Sequence, residues 1–372
     1  MIQLWVLMAL VLSLAWLYEH TYFGVNSHSL KKRKFNIPIV CMVILLGGFL
    51  GLRTGYNDTK AYISMYENTL PFPGFWDTFD SSLSADPGFT ICNAALKTMG
   101  TSTQTYLMLY SLVIIGLHIA FIYQNRNSLT LNILLFICVG SYTFAGAAIK
   151  QSLATAICLC ALPLAVNRKW IPYGLFVFLA GTFHIYALIY LLVPFLMFRP
   201  WTKSTLFLLI GTVAVAFSLQ NLFGAIIGIT SSLGETYTVD SFNGEGVNVF
   251  RVIVCNVPML LALVYHKDIF QNSTRSENLM FNLAMVNGCI MFIGLFGTAN
   301  YFARLANFFV TAQAVALPWM IHKIPRRNRG FIKIAMIVCY LVYFNYATNV
   351  SNGAFSDLFK RITVSEFFDQ LF

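Results

Sequence analysis

Long apolar runs separated by short polar segments make up most of the sequence. Runs of about 20 apolar residues are typical of helices that cross a membrane. We place spans near 2–18, 36–52, 104–123, 129–147, 151–166, 171–184, 186–198, 204–223, 251–265, 279–298, 304–321 and 331–348. The pattern therefore predicts an all-α, polytopic integral membrane protein with about 12 transmembrane helices (10–14), forming one transmembrane domain over residues 1–372.

The run 171–198 is too long for one span. As a single helix it would measure about 42 Å, whereas the hydrocarbon core is about 30 Å thick. We therefore predict a break at His184. The first run, 2–18, lacks the basic start and small-residue cleavage site of a signal peptide, so we expect a retained span.

Three segments outside the predicted spans are long enough to carry function. Residues 53–103 are expected to form an outward-facing loop with short helices, and residues 224–250 a second outward-facing loop. Residues 349–372 form an outward amphipathic tail. Its apolar positions share one helical face, which would suit a position on the membrane surface; they are Phe355, Leu358, Phe359 and Ile362.

The placement of charge orients the chain. Charged residues make up 10% of the sequence, against about 25% in soluble domains. Sixteen of the 24 Lys and Arg fall in alternate loops that hold only three acidic residues. Because cytoplasmic loops of membrane proteins are enriched in Lys and Arg, these loops are predicted to face the cytoplasm and both termini the outside. The net charge of +10 thus reflects orientation, and we expect no nucleic-acid partner.

Four basic residues lie at the opposite, outer ends of predicted spans, where this bias disfavours them. They are Arg53, Lys150, Arg251 and Arg304. Four cations at one membrane depth could line one anion-binding pocket, and guanidinium groups bind phosphate with two hydrogen bonds. A diphosphate headgroup is the natural ligand. The alternative is that each cation reaches the interface alone.

Two acidic residues accompany these cations. Asp58, in GYNDTKAY, could act as a general base on a hydroxyl or orient a sugar; Asp58 or Asn57 is equally suited to cap a helix. Asp86, in SADPGF, could contact a sugar, although Asp-Pro-Gly is more often an ordinary turn and cap.

His184 coincides with the predicted break. A group that titrates near neutral pH at such a position suits proton transfer or phosphate contact, and packing is the alternative.

Gln151 could hydrogen-bond the same ligand as Lys150, or join two helices. Tyr56, Tyr62 and Tyr301 could stack on sugars, although interfacial aromatic belts are the default interpretation.

No spacing of Cys, His or acidic residues indicates a metal site, and no nucleotide-binding glycine motif occurs in a suitable context. We therefore expect no metal and no cofactor.

The order of these motifs resembles the EpsG-like family of bacterial exopolysaccharide polymerases, a branch of the Wzy-type O-antigen and capsule polymerases. The similar stretches are LRTGYNDTKAYISMYE (52–67), ADPGFTICNAALKTMG (85–100), AAIKQSLATAI (147–157), LAGTFHIYALIYLL (179–192) and NYFARLANFF (300–309). The resemblance covers residues 40–320.

The family pattern matches this chain residue by residue, with two departures. Matching positions are Arg53, Asp58, Thr59, Tyr62, Phe183, His184, Tyr301 and Arg304. The acidic-Pro-aromatic turn fits Asp86, Pro87 and Phe89 with one residue inserted. The usual Arg-Gln pair is Lys150-Gln151 here, which keeps the charge and loses the two-pronged donor.

The resemblance implies a glycosyltransferase at the outer face of the bacterial cytoplasmic membrane. Such enzymes transfer a growing glycan from undecaprenyl diphosphate to the next lipid-linked repeat unit. Arg53, Arg251 and Arg304, assisted by Lys150, would hold the diphosphate, and Asp58 or His184 would take the acceptor proton. Partners implied are the lipid-linked oligosaccharides, the bilayer, a chain-length regulator and a flippase.

Two other functions stay open. A flippase or transporter for lipid-linked oligosaccharides would suit many spans, but it would carry midplane charges and repeated halves, which the sequence lacks. An O-antigen-ligase-like transferase shares the donor and the chemistry, and it differs in its acceptor.

Overall fold

The computed structural model describes residues 2–22, 36–79, 86–232, 246–297, 299–349 and 355–370. These residues form α-helices, one long 3-10 helix and a two-stranded sheet. The first part contains α1 (Ile2–Tyr22), α2 (Ile37–Gly51), β1 (Arg53–Gly55), α3 (Thr59–Glu67), α4 (Phe75–Thr78), α5 (Pro87–Thr98), α6 (Thr103–Gln124), α7 (Leu129–Cys138) and α8 (Ser141–Ala147). The second part contains α9 (Ile149–Val166), α10 (Trp170–Phe183), the 3-10 helix (Ile185–Leu196), α11 (Lys203–Ser232), α12 (Val249–Phe270), α13 (Arg275–Ile293), α14 (Ala299–Lys323), α15 (Arg326–Asn349), α16 (Phe355–Leu358), β2 (Lys360–Arg361) and α17 (Val364–Asp369).

Local sequence sets where several of these helices begin. The Ser102 hydroxyl accepts the Thr105 N–H at the start of α6, and Thr274 and Glu277 form a capping box at the start of α13. Such bonds satisfy backbone donors that have no partner inside the helix. Core helices are apolar over most of their surface, as expected for a membrane bundle.

Six helices among the described residues are long and apolar enough to cross a membrane, and up to eight if two bent pairs each count as one span. The six are α1, α6, α9, α12, α14 and α15, and the bent pairs are α7 with α8 and the two halves of α11. The fold is therefore an all-α, multi-pass membrane architecture, but the prediction of about 12 spans is not confirmed. Several predicted spans fall on helices too short to cross by themselves, namely α2, α10 and the 3-10 helix.

The long run 171–198 breaks at His184, as its length requires. α10 ends at Phe183, and His184 adopts an extended conformation (φ −159°, ψ 118°). The chain then continues as a 3-10 helix rather than a second α-helix. The break leaves His184 between two helix ends.

Hydrogen bonds near the start and the end of α1 distinguish the two ends of the bundle among the described residues. Near the start of α1, Gln3 accepts a hydrogen bond from Arg361, whereas Glu19, near its end, accepts one from Thr130 at 2.6 Å. Arg275 donates to the Val166 carbonyl at the second end. We call the end that carries β1 and Arg361 the site end.

The predicted loop and tail segments have defined structure. Residues 53–79 and 86–103 contain β1, α3, α4 and α5. Residues 224–232 continue α11, and residues 233–245 lie outside the described part. The tail is not one helix, because α16, β2 and α17 divide it. β2 pairs antiparallel with β1.

Candidate active site

The ends of five helices meet at the site end and carry most of the predicted site residues. Asp58 occupies the N-cap position of α3, and Asp86 the N-cap position of α5. Lys150 is the second residue of α9, and Arg304 lies in the second turn of α14. His184 directly follows α10. Residues from distant parts of the sequence are thereby brought together.

The first ion pair joins α5 to α9. Lys150 Nζ lies 2.8 Å from Asp86 Oδ2, with 19% and 12% of the two side chains exposed. The Asp86 carboxylate makes no capping hydrogen bond, although the residue stands at the cap position. Lys150 also lies over the Phe89 ring, 5.2 Å from its centroid. This pair is short and shielded, which strengthens its attraction.

Close packing of α5 on α10 positions that pair. A Cβ placed on Gly88 would lie 2.2 Å from the Thr182 hydroxyl oxygen. Only glycine therefore permits this approach. It brings Asp86, two residues before Gly88, to the side of His184.

The second ion pair joins α3 to α14 and is more open. Arg304 Nη2 lies 3.5 Å from Asp58 Oδ2, and the side chains are 45% and 40% exposed. Asn57, immediately before, has a left-handed φ of 44°, which turns the chain into α3. Asp58 makes no side-chain capping bond. Its carboxylate therefore faces the arginine.

His184 lies beside both ion pairs. Its Nδ1 accepts the Tyr186 N–H at 3.4 Å, and its ring meets Phe308 edge to face with centroids 5.9 Å apart. If Nδ1 accepts, a neutral ring carries its proton on Nε2. The charged groups that act on this ring are Asp86, Lys150 and Arg304.

Tyr62 lies close to members of both ion pairs. Its ring lies edge to face with Phe89, with centroids 5.9 Å apart, and its hydroxyl contacts the backbone amide of Lys150. Burial raises the pKa of Tyr62, and the nearby Asp58 raises it further. The hydroxyl thus stays protonated and can donate a hydrogen bond.

The Arg53 side chain is enclosed and bonds to residues outside the two ion pairs. It is fully buried, and its Nη1 donates to the Leu50 carbonyl at 2.6 Å and to the Ser111 hydroxyl at 2.8 Å. Its Nε donates to the Thr59 hydroxyl at 3.2 Å. Burial lowers the pKa of Arg53 to about 10, so it stays charged at neutral pH. Through Thr59, the guanidinium stabilises the start of α3, next to Asp58. The predicted contact of Arg53 with diphosphate stays a prediction.

Arg251, on α12, bonds to Asn307, which lies about one helical turn beyond Arg304 on α14. Its Nη2 donates to Asn307 Oδ1 at 3.4 Å, and it is half-buried at the start of α12. The four predicted cations therefore separate into two that join the cluster, Lys150 and Arg304, and two that bond elsewhere.

The remaining predicted residues have other neighbours. Gln151 is buried and donates to the backbone carbonyl of Arg304, so it joins α9 to α14. Tyr56 packs against Phe355 in the tail, with ring centroids 5.1 Å apart. Tyr301 lies edge to face with Tyr186, at 6.2 Å. Their roles toward a ligand or sugar stay predictions.

The chemistry that this arrangement offers is anion binding and proton transfer. The cluster supplies two cations, two carboxylates and an imidazole at the starts of several helices, where the backbone itself favours negative charge. No group of three or more His, Cys, Asp or Glu suited to a metal lies within the described part of the chain.

Two features of the site had no usable signal in the sequence. Asn307 is the partner of Arg251, but a lone Asn in an apolar helix has many possible roles. The pairing of Lys360 and Arg361 with β1 joins segments about 300 residues apart through a strand too short to show a pattern.

Comparisons with known proteins agree with the resemblance in the motifs. A sequence model of the EpsG family matches residues 36–360. No curated protein and no solved structure matches the chain. The matched range contains both ion pairs and His184, and it ends within β2. With most of its length matched and several helices able to cross a bilayer, the chain belongs to the EpsG family and is a multi-pass membrane protein of the exopolysaccharide-polymerase type.

Proposed function

We propose that this protein is a glycosyltransferase that extends a polysaccharide at the outer face of the bacterial cytoplasmic membrane. It would transfer the growing glycan from undecaprenyl diphosphate to a hydroxyl of the next lipid-linked repeat unit. The observation that carries the proposal is the pairing of each site cation with a carboxylate, beside one imidazole.

The donor diphosphate would compete with the carboxylates for the cations. Exposed ion pairs contribute only about 0–1 kcal/mol, so the open pair of Arg304 and Asp58 costs little to separate. A diphosphate carries more charge than one carboxylate and accepts two parallel hydrogen bonds from a guanidinium. Arg304 would therefore leave Asp58 for the diphosphate, with Lys150 adding charge from the shielded pair.

Release of Asp58 would supply the general base. The acceptor hydroxyl loses its proton to the Asp58 carboxylate while its oxygen forms a bond to the anomeric carbon of the donor sugar. The bond between that carbon and the phosphate oxygen breaks, and the electron pair leaves with the lipid diphosphate. Arg304 and Lys150 would stabilise the charge that develops there.

In this scheme, His184 is better suited to donate a hydrogen bond to the leaving diphosphate than to take the acceptor proton. With Nδ1 accepting the Tyr186 N–H, the Nε2 proton is available to the diphosphate. Asp58 thus becomes the preferred base of the two candidates. Tyr62, protonated and next to both pairs, would orient the sugar or the carboxylate.

Deletion of the gene tests the proposal, with surface glycans separated on a gel and blotted for chain length. Loss of long chains with single repeats still present supports a polymerase. Loss of single repeats as well would assign export or attachment instead, as a flippase or ligase requires. An unchanged pattern would contradict the proposal.

Complementation then assigns roles to residues. Asp58→Asn and Arg304→Gln should fail to restore long chains at wild-type protein levels. Asp77→Asn is the matched control, because Asp77 is an exposed aspartate in the neighbouring helix α4. Restored long chains in Asp58→Asn would remove that carboxylate from the mechanism.

A further inference from the structure

A short segment near the end of the chain is built into the site end. β2 pairs antiparallel with β1, with Arg361 opposite Arg53 and Lys360 opposite Gly55. The Ile362 N–H extends this pairing and donates to the Leu52 carbonyl at 3.0 Å. The segment 355–362 therefore contains a strand that pairs with β1, just after the end of α2. We call this segment the clamp.

Aromatic rings hold the clamp in place. Phe359 is stacked on Phe49, with centroids 5.0 Å apart and planes within 7°, and on Phe355 at 4.8 Å. Tyr56 lies against both clamp rings, at 5.1 Å and 5.6 Å. Phe355 and Phe359 are 5% and 8% exposed. Because a two-stranded ribbon is barely stable alone, these rings are what makes the pairing persist.

The clamped residues lead directly into the proposed base. The Tyr56 carbonyl accepts the Thr59 hydroxyl at 2.6 Å, so Tyr56 is tied to the first turn of α3. Only Asn57, with its left-handed φ of 44°, stands between Tyr56 and Asp58. Arg53, on the other side, also bonds Thr59. A displacement of β1 or Tyr56 is therefore transmitted to Asp58.

We propose that the clamp is a positioning element of the active site, which fixes β1 and Tyr56 and thereby holds the Asp58 carboxylate opposite Arg304. The clamp residues touch no reacting group in this scheme. The catalytic part of this inference rests on the proposed role of Asp58, whereas the pairing of β1 with β2 does not.

The pairing can be locked by a disulfide, which gives a test of both parts. A Cβ added at Gly55 would lie 3.7 Å from the Lys360 Cβ, within the range of a disulfide. In Gly55→Cys/Lys360→Cys, oxidation should produce the cross-link, read as a mobility shift that reductant reverses. The two single-cysteine variants are the controls. Failure of the double variant to cross-link would overturn the pairing.

Function is read from glycan chain length in membranes with equal amounts of protein. Phe359→Ala should reduce long chains at least tenfold, whereas Phe368→Ala, an exposed ring in α17, should not. Adding the cysteine pair to Phe359→Ala and oxidising it should restore long chains, and reduction should remove them again. A merely structural role would not give this reversible rescue. Formation of the cross-link without rescue would overturn the positioning role.

The background of Asp58→Asn separates the two proposals. There, Phe359→Ala should cause no further loss in the residual elongation rate of the purified, reconstituted protein, since both changes act through one carboxylate. An additional loss would contradict action through Asp58. If Asp58→Asn alone keeps long chains, the proposed function fails at that residue, while the cross-link still reports whether the clamp pairs.

Discussion

The two ion pairs of the site have the same chemical form and opposite surroundings. Lys150 and Asp86 approach to 2.8 Å and are at most 19% exposed, whereas Arg304 and Asp58 stand 3.5 Å apart and are at least 40% exposed. A shielded pair is costly to break, because each charge would be left without water. An open pair exchanges partners easily. The difference separates a pair that holds helices together from a pair that, under the proposed function, would open for the substrate.

The largest effect is expected at the open carboxylate. Asp58→Asn removes the proposed base while keeping a side chain of similar size, and we expect a loss of roughly 10²–10⁴-fold in elongation rate. Because the lost ion pair is exposed, thermal stability in detergent should hardly change. A large drop in melting temperature would instead make Asp58 a structural residue.

Arg304→Gln should come next, with a loss of about 10²–10³-fold, since a donor to the developing charge is removed. Arg304→Lys keeps the charge without the two-pronged geometry, and it should recover only part of the rate. Lys60→Gln, an exposed cation on α3, is the control. Equal rates for Arg304→Gln and the control would remove Arg304 from diphosphate binding.

The shielded pair should show the reverse pattern. Asp86→Asn leaves the Lys150 ammonium partly enclosed without a carboxylate, and we expect a loss of about 1–3 kcal/mol in stability. Elongation by the folded protein should fall less than in Asp58→Asn. Melting temperature and rate, measured on the same preparation, separate the two effects. A stable but inactive Asp86→Asn would assign the base to this carboxylate.

The smallest effect is expected at Arg251. It bonds Asn307 outside the cluster, so Arg251→Gln should change the rate by less than tenfold. A loss as large as that of Arg304→Gln would mean that the diphosphate spans one further turn of α14.

Apolar runs were sufficient to place most of the long helices, because each such run had to be buried or in lipid. They also located the break at His184, since helix length is a simple geometric limit. They did not predict that α11 continues through residues 224–232. They could not give the number of spans. A helix as short as α2, with 15 residues, has the same apolar sequence pattern whether it crosses the membrane or packs inside the bundle.

Tertiary packing decided which predicted cations meet. Arg53 and Arg304 look alike in sequence, both basic and flanked by apolar residues. Ser111 on α6 and the Leu50 carbonyl enclose Arg53, whereas Arg304 stays open beside Asp58. No sequence pattern indicates that Arg53 bonds to the Leu50 carbonyl or to the Ser111 hydroxyl. Charge placement predicts an anion-binding site, and only the fold shows which of the predicted residues meet there.

The most direct measurement is the initial rate of chain elongation by Asp58→Asn and Asp86→Asn, purified and reconstituted side by side with lipid-linked repeat units. We predict that Asp58→Asn elongates at under 1% of the wild-type rate, while Asp86→Asn keeps a readily measured rate and melts at a lower temperature. An active Asp58→Asn beside an inactive, stable Asp86→Asn would contradict the assignment of the open pair as the catalytic one.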